Sequence, residues 1–248
     1  MKPTAAIVIG LLSAALFGAA TPASKLLLGV FSAQQLAGLL YLGAALAVAP
    51  ATLRHGWPRW PADRPNRVRL VGAILFGGLL GPILLLLGLR IAEATSVSLW
   101  LNVELAATAV LGTLFFREHL GALGWVGVVA AVAGAIVLSA PGSTAGVWPG
   151  LLVAAACVCW GLDNNLTSLI DGLTPSQSTF WKGLVAGTTN LAIGIVLQPF
   201  ATEPGAISAA VGVGALAYGA SIALYITSAQ ALGATRSQIV FSTAPFFG

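Results

Sequence analysis

Charge is what this chain has least of. Its 248 residues include eleven Lys and Arg and seven Asp and Glu, 7% in all. A soluble domain is about a quarter charged, so too few ionic groups are present to cover a water-facing surface. Water-soluble classes are thereby excluded, and lipid is the remaining solvent. Short alternating segments are missing too. The apolar runs are long and unbroken, which excludes a barrel of alternating strands. Histidine is confined to His55 and His119, both in short polar turns. The two cysteines, Cys157 and Cys159, lie two apart on one predicted helix and point to different sides. That spacing gives neither a disulfide nor a zinc site, and they read as small apolar fillers. There is no phosphate-binding loop, HExxH pair, dinucleotide fingerprint or cluster of metal ligands. These absences argue against an enzyme, a resident metal, a cofactor and ATP-driven transport by this chain alone. Gly219-Ala220-Ser221 superficially suggests a serine nucleophile, but neither histidine is near enough in the membrane to serve it as a base. The net charge of +4 follows the loops and signals no nucleic acid.

What is present is 58% hydrophobic sequence arranged in lengths that suit a bilayer. A helix needs about 20 residues to cross the hydrocarbon. Eight complete spans are expected, at about 5–28, 33–50, 69–89, 94–115, 120–140, 148–170, 176–198 and 207–231, and a ninth begins near 237. The fold class is therefore an all-α polytopic membrane protein. Arg54, Arg59, Arg64, Arg67 and Arg69 crowd the connection after the second span, whereas the connections 141–147 and 199–206 have no Lys or Arg. The positive-inside rule makes the arginine-rich side, the amino terminus and the turn Arg117-Glu118-His119 cytoplasmic. Trp57, Trp60, Trp125 and Trp148 fall at span ends, where interfacial anchoring accounts for them.

A weak internal repeat runs through the chain. Phe17-Gly18 matches Trp160-Gly161, and Leu84, Ala94 and Thr95 match Leu224, Ala234 and Thr235 in the same order. Spans one to five then correspond to spans six onward. A unit with an odd number of spans must cross the bilayer in the opposite direction in its second copy, as in many secondary transporters. The expected units are 5–140 and 148–248.

Three ionisable residues interrupt spans that are otherwise apolar. A carboxylate or ammonium at mid-membrane costs roughly 2.5–3.5 kcal/mol on insertion scales, so each points to a polar interior. Asp163 and Lys182 flank the turn at Gly172-Leu173 at similar distances, which puts them at one depth in an antiparallel hairpin. An ion pair is expected there, either holding two helices together or lining a solute pathway. Asn164 and Asn165 follow directly; three consecutive polar side chains cannot all face one neighbour. Glu104, with Asn102 close by, has no Lys or Arg near it in sequence. Its expected partner is Lys25 or a proton, which makes it the candidate for proton coupling. Lys25 stands near one end of the first span and could also reach the interface. Thr21-Pro22 and Gly81-Pro82 should break their helices and free backbone carbonyls. Gly77-x3-Gly81 and Gly183-x3-Gly187 allow close helix contact.

Several segments resemble the drug/metabolite transporter superfamily and its EamA-type members. The resemblance rests on FGAATPASKLLL (17–28), GAILFGGLLGPILLLLGL (72–89), LNVEL followed by LFFREH in span four, CWGLDNNLT in span six, KGLVAGTTNLA (182–192) and LGATRSQIVFSTAPFFG (232–248). It implies ten helices in two inverted five-helix units, acting as an alternating-access carrier of small metabolites or toxic compounds. By similarity, cavity positions would be Lys25, Asn102, Glu104, Asp163, Asn164, Lys182, Tyr218 and Ser242. The family pattern runs on past the Pro-Phe-x-Gly at 245–248 into a tenth helix, so the resemblance leaves span nine truncated here. The alternatives are a membrane-embedded accessory or binding component, an inactive fragment, or a flippase for lipid-linked substrates. The expected partners are the bilayer, a small solute and protons, with self-association left open. The expected location is a bacterial inner membrane.

Overall fold

The computed structural model describes residues 1–54, 56–138 and 146–247. His55, residues 139–145 and Gly248 lie outside the described residues, and with them most of the connection expected at 141–147. Among the described residues, seven helices are long and apolar enough to cross a membrane: α1 (Pro3–Leu27), α2 (Ala33–Leu53), α3 (Arg64–Ile91), α4 (Ala94–Phe115), α6 (Val147–Ser168), α7 (Pro175–Leu197) and α8 (Pro204–Leu232). Between α4 and α6 lies α5 (Ala122–Leu138). A short α9 (Ala234–Phe241) and a single 3-10 turn (Ala244–Phe247) follow. Among the described residues there is no strand. Of the eight expected spans, seven coincide with these long helices. The fifth, expected at 120–140, coincides with the shorter α5.

Local chemistry explains where the helices begin. At α2, the Ser32 hydroxyl accepts from Gln35 N–H while the Gln35 side chain accepts from Ser32 N–H. Thr174 and Gln177 repeat this reciprocal cap at α7. Each arrangement satisfies two backbone donors that the first helical turn leaves free. Asp63 caps α3 by accepting from Asn66 N–H at 2.9 Å. Between α8 and α9 the chain reverses at Gly233, whose φ of +91° is a conformation that side chains rarely tolerate.

Two of the long helices are broken beside a proline, and a third without one. α1 is interrupted at Ala19, just before Pro22. In α3, residues Ala73–Leu80 form a wider π-type helix that ends at Gly81-Pro82. α8 contains a second such stretch at Gly214–Ala220. Proline has no N–H for the carbonyls one turn back, so Gly77 and Gly78 are left with acceptors to be matched from elsewhere.

Helix pairing sets the interior. α2 packs along α7, α1 along α8, and α3 and α4 along α6; α9 lies against α1 and α4. Gly183 and Gly187 press directly on the α2 backbone at residues 41–45, which is why α2 and α7 approach so closely. An apolar core is present, but many polar side chains are buried with it and many large apolar ones face outward. Ser13, Gln35, Thr108, Asn165, Asn190, Ser221 and Ser237 are buried, while Val8, Leu12, Leu46, Leu114 and Val196 are exposed. Polar groups facing one another and apolar groups facing outward is the arrangement that lipid selects. Trp57 and Trp60, expected as interfacial anchors, also stack edge-on against Phe180 and Trp181 at the start of α7.

Candidate solute-binding cavity

The π-type stretch of α3 makes one wall of the interior. Gly77 O accepts from Tyr41 Oη at 2.5 Å and from Trp160 Nε1 at 3.0 Å. Gly78 O accepts from Asn190 Nδ2 at 3.1 Å. Side chains of α2, α6 and α7 thus supply the donors that Pro82 cannot. Without them, each buried carbonyl would be unmatched in a medium that offers no water. The same glycines leave room for charge. A Cβ at Gly77 would overlap the Asp163 carboxylate, and one at Gly78 would crowd Lys182 and Ala186.

Asp163 and Lys182 meet against this glycine surface, with Lys182 Nζ 2.5 Å from Asp163 Oδ2. The hairpin of α6 and α7 brings them to one depth, as the spacing around Gly172 predicts. Both are buried, so the pair offsets a cost that neither residue would bear alone. The two residues that follow Asp163 face elsewhere. Asn164 Nδ2 reaches Glu104 Oε1 at 2.7 Å, and Thr108 Oγ1 and Gln238 Oε1 at 3.2 Å each. Asn165 Nδ2 donates to Thr108 O at 3.0 Å and to Gly161 O at 2.8 Å. One turn of α6 therefore binds α7 on one side and α4 and α9 on the other.

Glu104, Asp163, Asn164, Lys182 and Tyr218 all line one cavity. Its remaining wall is aromatic. Tyr41 and Tyr218 stand 5.4 Å apart between ring centres, Tyr218 and Phe17 5.6 Å, Phe17 and Phe241 5.2 Å, and Phe241 and Tyr225 5.3 Å. Asn102, Ser242 and Gln238 line a second cavity that shares Glu104, Phe17 and Phe241 with the first. The two amount to about 40 Å³ and about 20 Å³. A water needs about 10–15 Å³, so the first has room for about three waters, the second for about one, and neither for a larger guest. A solute enters only if the helices part.

Lys25 belongs to neither cavity, contrary to the sequence expectation, and it does not meet Glu104. Its ammonium donates to Leu89 O at 2.7 Å, Ala92 O at 2.8 Å and Arg90 O at 3.3 Å. The end of α3 exposes carbonyls with no intrahelical donor, and three ammonium protons suit them better than a distant carboxylate. Glu104 instead receives its hydrogen bond from Asn164. Of the five clustered rings only Tyr218 was among the cavity positions implied by the family resemblance; Phe17, Tyr41, Tyr225 and Phe241, with Thr108 and Gln238, were not anticipated from sequence. Gly81-Pro82 foretold the free carbonyls, but nothing local foretold that Tyr41, Trp160 and Asn190 would take them. Glu118 is a further case: its carboxylate accepts from Ala234 N–H at 2.7 Å and Thr235 N–H at 3.1 Å, and from the Thr235 hydroxyl, at the start of α9. Among the described residues no group of His, Cys, Asp and Glu is placed to hold a metal ion.

Lipid-length helices enclosing a cavity that holds both acid and base define a polytopic α-helical membrane protein with a polar interior. The chain belongs to the EamA-like transporter family, which it matches over residues 4–140. It is 28% identical over 211 residues to an uncharacterized transporter of Methanothermobacter thermautotrophicus, covering 81% of this chain and 61% of that protein. It is also 28% identical over 172 residues to the uncharacterized inner membrane transporter YedA of Escherichia coli K12, covering 66% of this chain and 51% of that protein. The chain thus spans a little more than half the length of these relatives. A solved crystal structure of a protein superposes on 98% of this chain and 86% of its own, with a TM-score of 0.74 at 19% identity. That likeness concerns the fold alone.

Proposed function

We propose that this protein is a gradient-driven carrier that moves a small solute across the membrane by alternating access. The observation that carries the reading is the convergence of Glu104 from α4, Asp163 from α6 and Lys182 from α7 on one cavity. Buried ionisable groups in membrane spans are costly and mark solute or proton pathways. Glu104 and the Phe17–Phe241 ring pair are shared by both cavities, so parting those rings in alternation would expose one carboxylate to each side in turn. Glu104 is then the group through which protons would couple to the solute.

Helix pairing supports an inverted repeat with units at 5–140 and 148–248. Equating α1 to α4 with α6 to α9 turns the α1–α8 contact into the α6–α3 contact, and the α4–α6 contact into the α9–α1 contact. The α2–α7 and α4–α9 contacts map onto themselves. The two π-type stretches and the two reciprocal helix caps also correspond under this equation. With five helices in a unit the second copy runs in the opposite direction. Sidedness follows from charge. Lys2, Arg54, Arg59, Arg64, Arg67, Arg69, Arg117 and Arg236 fall toward one face, and Lys25 and Arg90 toward the other. The arginine-rich face, with the amino terminus, is cytoplasmic, and the membrane is the bacterial inner membrane.

The test is counterflow. Proteoliposomes preloaded with an unlabelled amine, amino acid or carboxylate should accumulate the labelled form of at least one of them above protein-free vesicles. Glu104→Gln should abolish any dependence of that flux on a proton gradient. Absence of counterflow for all three classes would sink the carrier reading.

A further inference from the structure

The charges facing the cavity do not cancel. Lys182 is bonded to Asp163 at 2.5 Å. Asp163 presents its other oxygen, Oδ1, buried and without a hydrogen-bond partner among the described residues. Glu104 also faces the cavity, and no described Lys or Arg is within ion-pair distance of it. The lining holds two carboxyl groups against one ammonium. The rings of Tyr218, Phe17 and Phe241 close the opposite side. Aromatic faces are electron-rich and attract cations. The lining thus offers a cation two carboxyl groups and aromatic rings, against the N–H donors that Lys182 keeps beyond its bond to Asp163.

We propose that this cavity selects a small organic monocation, an ammonium carried on an apolar body, over a zwitterion or an anion. The proposal rests on the carrier reading for the purpose of the site, and on the lining for its chemistry. The ammonium sits between Glu104 and Asp163 Oδ1, where it supplies the positive charge that the second carboxylate lacks. The apolar body lies among the rings. A carboxylate on the solute would find Lys182 as its cation, and that ammonium is buried and held by Asp163 against the glycine wall of α3. A second carboxylate sharing its remaining donors would stand as a third acidic group beside Asp163 and Glu104, and drawing Lys182 off would leave Asp163 unpaired in a low-dielectric interior, which is costly. An anionic group is therefore disfavoured, and an added ammonium is not.

Three probes with one ring and different charge separate these cases: phenethylammonium, phenylalanine and 3-phenylpropionate. Binding is measured by calorimetry on the purified chain in lipid nanodiscs near pH 7. The expected order is phenethylammonium first, phenylalanine at least about tenfold weaker and phenylpropionate weaker still, since one charge-assisted hydrogen bond is worth a factor of that size. Glu104→Gln should weaken the cation by at least about tenfold and leave the melting curve in place. Glu93→Gln removes a charge from the exposed turn between α3 and α4 and should leave binding unchanged. Phenylalanine or phenylpropionate binding as tightly as the amine would overturn the proposal, as would no binding of the amine or equal loss in both variants. The wild-type series decides the matter even if Glu104→Gln misfolds. Counterflow with the same probes separates the two readings. Cation binding without flux removes the carrier and keeps the selectivity; flux of the zwitterion alone keeps the carrier and removes the selectivity.

Discussion

The two walls of the cavity hold together by different means. On the α3 side, Gly77 O and Gly78 O are matched by Tyr41, Trp160 and Asn190, and the Asp163–Lys182 pair is wedged against the same glycines. On the α1–α8–α9 side, Phe17, Tyr218, Phe241 and Tyr225 meet ring to ring. Directional bonds between buried groups fix a geometry, because breaking one leaves a polar atom without a partner. Ring contacts are worth about 0.5–1.5 kcal/mol beyond their area and tolerate several arrangements. One wall is therefore a frame. The other meets at the cavity through rings, with its buried polar bonds limited to short hydroxyl contacts such as Ser13–Ser221 and Ser228–Ser237 and the Asn164–Gln238 bond, and it is the wall that borders both cavities.

The frame should fail first and hardest when its ion pair is halved. Asp163→Asn or Lys182→Met alone is expected to cost about 3–5 kcal/mol, since each leaves an uncompensated buried group. The double substitution should recover much of that loss. Thermal melts of the four proteins in one detergent read the cycle directly. A double variant no better than either single would mean that the pair does not tie α6 to α7, and the contrast between the walls would lose its strongest element.

A smaller effect sharpens the same contrast. Tyr41 and Trp160 both donate to Gly77 O, so either one still satisfies the carbonyl when the other is lost. Tyr41→Phe and Trp160→Phe should each cost about 0.5–1.5 kcal/mol. Together they should cost more than the sum, because only then is the carbonyl left unmatched. Simple additivity in the melts would indicate that the two bonds are independent and that the carbonyl freed by Pro82 finds another donor.

Much of the architecture was legible in the sequence because lipid imposes a one-dimensional rule. Of eight apolar stretches expected to span, seven coincide with long helices among the described residues, and the Asp163–Lys182 contact follows from hairpin spacing around Gly172. Gly81-Pro82 announced a break, and the break is present. What sequence did not carry was the identity of partners on other helices. Lys25 looked like a partner for Glu104 because both are charged and buried residues need partners. The carbonyls at the end of α3 are nearer, and only the packed fold brings them there. Of the aromatic wall, only Tyr218 was named, and that through the family resemblance. Phe17, Tyr218, Phe241 and Tyr225 are spread over three helices and over most of the chain, and a ring in an apolar run has no signature that separates lining from packing.

The smallest expected effect lies outside the membrane, at the start of the frame. Asp63 caps α3 by accepting from Asn66 N–H at 2.9 Å and from the Asn66 side chain at 3.1 Å. The backbone N–H of Asn66 does most to hold the Asp63 carboxyl below its ordinary range; loss of hydration opposes it, and the Asn66 side chain and the Arg69 charge add smaller pulls in the same direction as the N–H. A group whose folded value is depressed adds stability that is present above its unfolded value, about 3.9 for Asp, and is lost as pH falls through the folded value. The melting temperature of the parent should therefore drop on acidification below about pH 4 more steeply than that of Asp63→Ala, and the two curves should converge in acid. The carboxylate is solvent-exposed and screened, so the difference is small. Asp63→Asn keeps an acceptor at the helix start and should retain part of the neutral-pH stability without the acid dependence. Parallel curves for Asp63→Ala and the parent across this range would show that the cap adds nothing to the frame, leaving the α3 wall held by its buried contacts alone.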